Sequence, residues 1–582
     1  MKKACKSAQD PKRSKNLSMN SLPRTQSSDA ISGLKRLTRV LVVGLDAATL
    51  EIIKPMARNG KLPNFGRLMR EGSFGALKSS MPPITPCAWT SFATGKDPSK
   101  HGLYDFDLHE GNPEKTKRVN RTFVRAKSLW KILSEAGKRS IVIDVPLTYP
   151  PEVINGILIS RVDAPQKKNC TYPKSLYYTL RRRGFIAKID RSITKEHGAD
   201  KANKEEAKKK LGRISKARMR KIARLRTEEA FQNIVKEIDK NIELAKQFME
   251  KEDWDFFMMA FMSADYAGHS FWQDQVKVKK IYEKLDEAVG TLFRIAGEDA
   301  VKFIISDHGF TSLLYSFNIN EWLHEKGFLE KKIDIPWKES IKELKQFLRK
   351  FEGKKTGGLA GDNKLSKFRY LLRTDYAKSK AYFQSWTSYG IRINLEGRDT
   401  TGIVKREDYQ SFRRYLISEL KKIKHPSTGR RVFSDVLKKE EVYSESPLGI
   451  NPAPDIFLVA PEINLEGRFQ QNPHVFGRTP RGYGFHHIDG IFFASGKGIR
   501  KRCVCGTRIT DLAPTILHIL GVPVPEDIDG RVLRQIFDSG SQYADRQVAY
   551  QGPSAIAKEE RVYSKKDETK IKKRLEALGY IE

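Results

Sequence analysis

The chain has 582 residues, 39% hydrophobic and 10% aromatic, which suits a large folded core and excludes a disordered protein. Its formal net charge of +37 fits either basic surface helices or attraction to anions, whether phosphorylated substrates, nucleic acid or an acidic membrane surface. Five scattered cysteines exclude a disulfide framework, and no run of about 18 apolar residues offers a transmembrane helix.

Residues 1–38 are polar, Ser-rich and basic, and read as a disordered tail. They hold no apolar h-region of the secretory type, so a cytoplasmic location is expected. The segment 39–165 reads as the first part of an α/β core. It opens with the apolar, β-branched run from Thr38 to Asp46, a strand of the kind buried in a parallel sheet. A helical pattern passes through Leu62–Arg70. The stretch Ser79–Gly95 is rich in turn residues. A helix from Leu129 to Ala136 then precedes a strand at Ser140–Val145. Residues 166–252 read as a basic helical insertion. Between Lys201 and Arg226 there are twelve basic side chains against two acidic ones. From Arg226 to Glu252, Phe231, Ile234, Ile238, Ile242 and Ala245 form an apolar stripe at helical spacing. The second part of the core, 253–330, holds strands at Trp254–Met262 and Val301–Ser306 with a helix near Val276–Ala296 between them. Residues 331–480 read as a cap, helical and basic up to 380 and then with strands at Gly390–Leu395 and Asp455–Val459. The last core part is 481–540, and 541–582 is a charged tail. Strands alternating with helices predict a doubly wound, mostly parallel α/β sheet with helical insertions and a smaller cap region.

Three of these strands end in aspartate: Asp46, Asp265 and Asp307. In open α/β sheets, ligands bind beyond the carboxyl ends of the strands. A lone strand-terminal Asp is commonly a turn former. Here histidines accompany them: His269 follows Asp265 by four residues, His308 adjoins Asp307, and His486 and His487 lie in a loop bracketed by Gly484 and Gly490. Six such O and N ligands suit two zinc ions with open positions, a catalytic rather than a structural pattern. Thr85, between Pro82-Pro83-Ile84 and Pro86, suits the first turn of a helix. It reads equally as a plain N-cap or as a nucleophile held at a site that attracts anions. Cys503-Val504-Cys505 is a weak metal motif without a second pair.

These residues resemble the alkaline phosphatase superfamily, in its type I phosphodiesterase/nucleotide pyrophosphatase branch. The resemblance rests on blocks in the family's order: Gly44-Leu-Asp46; Thr85 with Thr94-Gly95, Pro98 and His101-Gly102; Asp265-x-x-x-His269; Ser306-Asp-His-Gly309; and His486-x-x-Asp489-Gly490, a frame that favours His486 over His487. It implies an alkaline-phosphatase-like core. One zinc would be held by Asp265, His269 and His486. The other would be held by Asp46, Asp307, His308 and the Thr85 oxygen, with manganese as the alternative metal. It also implies a covalent intermediate on Thr85. Phe106 stands where nucleotide pyrophosphatases carry an asparagine that holds a phosphate oxygen. Cys87 lacks the Cys-x-Pro-x-Arg setting of a sulfatase nucleophile and reads as a small buried residue.

The expected function is two-metal hydrolysis of phosphodiester or pyrophosphate bonds in a small phosphorylated substrate. Phosphomonoester hydrolysis or phosphoryl transfer on the same fold is the alternative. A non-catalytic basic binder of nucleic acid or an acidic surface, acting through the basic insertion, is the reading of another class. Lys96, Tyr389 and Arg392 are possible phosphate or base contacts that also suit structural roles. Oligomeric state is left open.

Overall fold

The computed structural model of the chain describes residues 38–109, 111–162, 164–165, 169–186, 216–333, 372–385, 387–443, 453–469, 474–477, 483–554 and 563–577. The strands used below, in chain order, begin with β1 (Val40–Leu45), β2 (Ser73–Lys78), β3 (Ser140–Ile143), β4 (Gly156–Ile159), β5 (Thr171–Tyr172), β6 (Phe256–Phe261), β7 (Val301–Ile305) and β8 (Gly309–Ser312). There follow β9 (Ala381–Phe383), β10 (Gly390–Ile393), β11 (Asp435–Lys438), β12 (Ile456–Val459), β13 (Gly484–His487), β14 (Asp489–Ser495) and β15 (Arg502–Arg508). The helices used below are α1 (Leu50–Arg58), α2 (Pro63–Glu71), α3 (Thr85–Thr94), α4 (Leu129–Glu135), α5 (Lys216–Lys251), α6 (Ser263–Phe271), α7 (Gln275–Ala296), α8 (Arg406–Lys422) and α9 (Leu512–Ile519).

Nine strands form the central sheet in the order β15-β2-β14-β7-β1-β6-β3-β4-β5. The run β7-β1-β6-β3-β4 is parallel throughout, and β14 and β5 join it antiparallel. All residues of β1, β6 and β7 are buried, as central parallel strands covered on both faces require. Alternate side chains serve opposite layers. Leu41, Val43 and Leu45 pack with α1, α2, α5 and α7, whereas Val40 and Val42 pack with α3, α4 and α9. The doubly wound, mostly parallel fold class is the one observed.

The register positions the chemistry. Gly44 lies beside Ala260 on one neighbour and Ile305 on the other, so Asp46, Met262 and Ser306 leave the sheet at one edge. Strand β2 runs the same way as β7, because β14 pairs antiparallel with both. The chain therefore leaves Lys78 at that same edge and enters α3 through Ser79–Ile84. A smaller four-stranded antiparallel sheet, β9-β10-β12-β11, carries α8 alongside it.

Within the turn-rich stretch Ser79–Gly95 a helix runs from Thr85, as its place before Pro86 predicts, because the missing Pro86 N–H costs no helix hydrogen bond in the first turn. Other local expectations change. Lys331–Ile333 and Leu372–Thr374, expected to be helical, pair as antiparallel strands. Residues 1–37, 201–215 and 334–371 lie outside the described residues. The amphipathic reading of Arg226–Glu252 agrees with α5, whose Phe231, Ile234, Ile238 and Ala245 are buried. Among the described residues, no helix is long and apolar enough to cross a membrane.

Candidate metal and nucleophile site

The carboxyl edge of the sheet gathers all seven residues singled out above. Strand β1 ends at Leu45, and the Asp46 N–H donates to the Phe261 carbonyl at the end of β6 (2.9 Å). Asp46 Oδ2 accepts a hydrogen bond from the Trp89 indole N–H (2.7 Å). That contact depends on Gly44, because a Cβ there would lie 2.6 Å from the Trp89 ring. Ala47 takes a left-handed conformation (φ 59°), and its N–H donates to Asp307 Oδ1 (3.1 Å). His308 donates from Nδ1 to the Gly309 carbonyl (3.1 Å), which leaves the Nε2 lone pair free to accept or coordinate.

Asp265 and His269 lie on α6, not in a strand-end loop. A helix brings residues four apart onto one face, and Asp265 Oδ1 is 3.3 Å from His269 Nε2. Gly268 makes this possible, since a Cβ there would meet the Phe310 ring at 2.8 Å. Phe310 presents its edge to His269, with centroids 5.2 Å apart and planes at 88°. His486, expected in a loop, lies on β13. That strand pairs antiparallel with β8 so that His486 faces Phe310 in the ladder. The next histidine, His487, is half-exposed, and its Nδ1 accepts from the Asp489 N–H.

Two groups of potential metal ligands result. Asp265 Oδ1, His269 Nε2 and His486 Nε2 form a triangle with sides of 3.1, 3.3 and 3.4 Å. Zinc bonds of about 2.0 Å at tetrahedral angles separate ligand atoms by about 3.3 Å, so these donors fit one face of such a site. Asp46, Asp307 and His308 form the second group, with His308 Nε2 3.1 Å from Asp307 Oδ2 and 3.9 Å from Asp46 Oδ1. Ligand atoms of His308 also lie within 4.8 Å of those of Asp265 and His486, so the two groups adjoin. Asp46 Oδ1, Asp307 Oδ2 and both Asp265 oxygens are buried without a well-formed hydrogen bond. Buried polar atoms are normally satisfied, and clustered carboxylate oxygens left without a donor fit cations.

The electrostatics divide the carboxylates: burial works to raise Asp265, but the adjacent His269 and His486 override it and hold it well below its ordinary range. Burial, then the neighbouring Asp307 and Asp265 charges, push Asp46 well above the usual carboxylate range. Burial and Asp265 do the same to Asp307. Burial lowers His308, and lowers His486 to about 3, so both imidazoles stay neutral, the form that binds metal.

Thr85 is the first residue of α3, and its Oγ1 lies 3.5 Å from His308 Nε2. The N-cap is Ile84, which makes no side-chain capping bond. The plain N-cap reading of Thr85 is thus corrected: its hydroxyl faces His308 Nε2 while the helix directs positive potential toward the same end.

Other candidates have structural partners. The buried Lys96 pairs with Asp527 at 2.5 Å, and Arg392 pairs with Asp399. Cys87 and Phe106 are buried in the apolar cluster that also holds Ile84. Cys503 and Cys505 are exposed on β15. Trp89, Phe310 and Phe485 escaped sequence reasoning. Trp89 had a readable signal in its place one helical turn beyond Thr85.

The family profile described as type I phosphodiesterase / nucleotide pyrophosphatase matches residues 40–465, with His486 beyond the matched span. No curated protein sequence matches the chain significantly. Among solved structures, the chain is similar to an inactive variant of murine ectonucleotide pyrophosphatase / phosphodiesterase 5 in complex with AMP, at 14% identity. That alignment covers 83% of this chain and 95% of that one, with a TM-score of 0.44. It is also similar to phosphonoacetate hydrolase from Sinorhizobium meliloti 1021 in complex with phosphonoformate, at 14% identity, 83% and 95% coverage and a TM-score of 0.48. The wild-type alkaline phosphatase PafA aligns at 16% identity over 87% of this chain and 100% of that one, with a TM-score of 0.46. On the family match over most of its length, the chain belongs to the type I phosphodiesterase / nucleotide pyrophosphatase family of phosphoester hydrolases.

Proposed function

We propose that the chain hydrolyses phosphodiester or pyrophosphate bonds of a small phosphorylated substrate with two divalent metal ions and Thr85 as nucleophile. The observation that carries this reading is the Thr85 hydroxyl at the start of a helix, 3.5 Å from His308 Nε2, beside buried carboxylates with oxygens that lack a well-formed hydrogen bond. Asp265, His269 and His486 would hold one metal, and Asp46, Asp307 and His308, with the Thr85 oxygen, the other. Zinc suits this set of carboxylates and imidazoles, and manganese is the alternative. Such ions, when bound, supply the positive charge that favours an ionised hydroxyl and screens the phosphoryl oxygens.

The chain's own residues do the rest. Thr85 Oγ forms a bond to phosphorus as the bond to the leaving-group oxygen breaks, giving a phosphothreonine ester. Water then attacks the same phosphorus, and the Thr85 O–P bond breaks to restore the hydroxyl. The N-terminal end of α3 orients the anionic group. Trp89 and the Ala47 N–H fix the planes of Asp46 and Asp307, and the Gly309 carbonyl fixes the His308 tautomer.

The test uses bis-p-nitrophenyl phosphate. Chelation should abolish cleavage and added zinc should restore it. Thr85→Ala should lose roughly three decades of turnover or more without unfolding. Full activity in Thr85→Ala would remove the nucleophile assignment. Recovery with manganese but not zinc would change the metal and leave the site. With an alcohol added, formation of the mixed diester of that alcohol in place of p-nitrophenyl phosphate would indicate transfer.

A further inference from the structure

A series of near-parallel rings runs from the cap to the metal-ligand cluster. Tyr389 stacks on Phe485 with centroids 6.3 Å apart and planes at 16°. Phe485 stacks on His486 at 4.5 Å and 1°, and His486 stacks on His308 at 3.8 Å and 24°. All three pairs lie within 24° of parallel, and the first two separations are those of offset aromatic stacking. The last ring is the one whose Nε2 faces Thr85.

The first ring is held with unusual care. Tyr389 is buried, with φ at 51°, a left-handed conformation rare for a bulky residue. Such strain persists only where the surroundings over-determine it. Here they do. Asp105, in the segment after His101-Gly102, accepts hydrogen bonds from Ser385 Oγ and Thr387 Oγ1, both at 2.6 Å. Ser388 folds back on Ser385, donating from its N–H and from its hydroxyl to the Ser385 carbonyl (3.1 and 2.7 Å). The Tyr389 carbonyl accepts from the Leu458 N–H on β12 (2.8 Å). The strained residue is thus tied both to the core and to the cap sheet.

An imidazole that binds a metal must keep its lone pair within about 10–20° of the bond direction. Flat plates stacked on the ring resist its rotation. We propose that Tyr389 is a positioning residue: through Phe485 its ring fixes the plane of the His486 imidazole, so the cap supports metal binding at Asp265, His269 and His486. This rests on the two-metal reading above. Tyr389 touches no reacting atom, and its role belongs to the ring rather than the hydroxyl.

The experiment measures zinc affinity of the full-length, chelator-stripped protein by competition with a chromophoric chelator, with circular dichroism and thermal unfolding as checks of fold. The wild type should bind two zinc ions. Tyr389→Phe should match it. Tyr389→Leu should weaken one of the two sites by about tenfold and leave the other unchanged, as loss of supporting contacts around a metal ligand does. Wild-type affinity at both sites in a folded Tyr389→Leu protein overturns the proposal. Equal losses in the Phe and Leu variants also overturn it, because the hydroxyl would then carry the role. If Tyr389→Leu does not fold, Asp105→Asn decides: a smaller loss at the same single site supports the proposal, and unchanged affinity overturns it. A wild type that binds no divalent ion contradicts the two-metal reading instead.

Discussion

Two regions of this molecule bury carboxylates, and they partner them differently. Beside the smaller sheet, Asp455 accepts from both Arg398 terminal nitrogens (2.6 and 2.8 Å), the Tyr409 hydroxyl (2.7 Å) and the Ile393 N–H (2.8 Å). Burial works to raise this carboxyl, but Arg398 overrides it and holds the group well below its ordinary range. At the sheet edge, Asp46, Asp265 and Asp307 gather without an arginine or lysine among the described partners, and four of their oxygens lack a well-formed hydrogen bond. A buried carboxylate matched by a cation from the same chain is structural. Several that share one site without such a cation are arranged for a cation from outside.

Substitutions should separate the two regions. The largest expected effect is Asp455→Asn, which takes the bidentate carboxylate from Arg398, leaves it Asp399 alone, and should cost on the order of 3 kcal/mol in urea unfolding. The sign with pH follows from the lowered carboxyl. Its stabilisation is fully present above the ordinary value of 3.8 and is lost as pH falls through the folded-state value. The gap between wild type and Asp455→Asn should therefore be full at neutral pH and close only in strong acid. Asp46→Asn should act in the opposite sense on the metal-free protein, raising its stability by easing repulsion from Asp307 and Asp265. The same variant should lower zinc affinity at one site by more than about 100-fold, beyond the effect of losing a supporting contact. A metal-free Asp46→Asn protein less stable than wild type would erase the contrast. Gly44→Ala should cost about 1–3 kcal/mol by driving a methyl into the Trp89 ring. The smallest effect is expected from Trp89→Phe, which removes the donor to Asp46 and should weaken zinc about tenfold, read by chelator competition.

The ligands were legible for a physical reason. Central parallel strands are largely apolar, so a polar residue at the carboxyl end of β1 or β7 stands out, and Asp46, Asp307 and His308 do. Asp265 and His269 stood out equally, but their helix did not, because a short Ser-Ala-Asp-Tyr-Ala-Gly-His segment carries little helical periodicity. His486 was read as a loop residue, since its strand exists only by pairing with β8, more than 170 residues earlier. Supporting residues were illegible where their role depends on distant space. Trp89 reaches Asp46 because Gly44 lacks a side chain, and Tyr389 reaches the site only through Phe485. The charge network beside the smaller sheet was hidden in the same way: Arg398 and Asp455 are 57 residues apart.

The central claim is that Thr85 accepts the phosphoryl group. Wild-type protein mixed with a diester substrate, quenched in acid within milliseconds and digested, should yield a peptide carrying the phosphoryl or nucleotidyl mass on Thr85, absent without metal. Turnover with the adduct on another residue, or with inverted stereochemistry at phosphorus and no adduct, would contradict it.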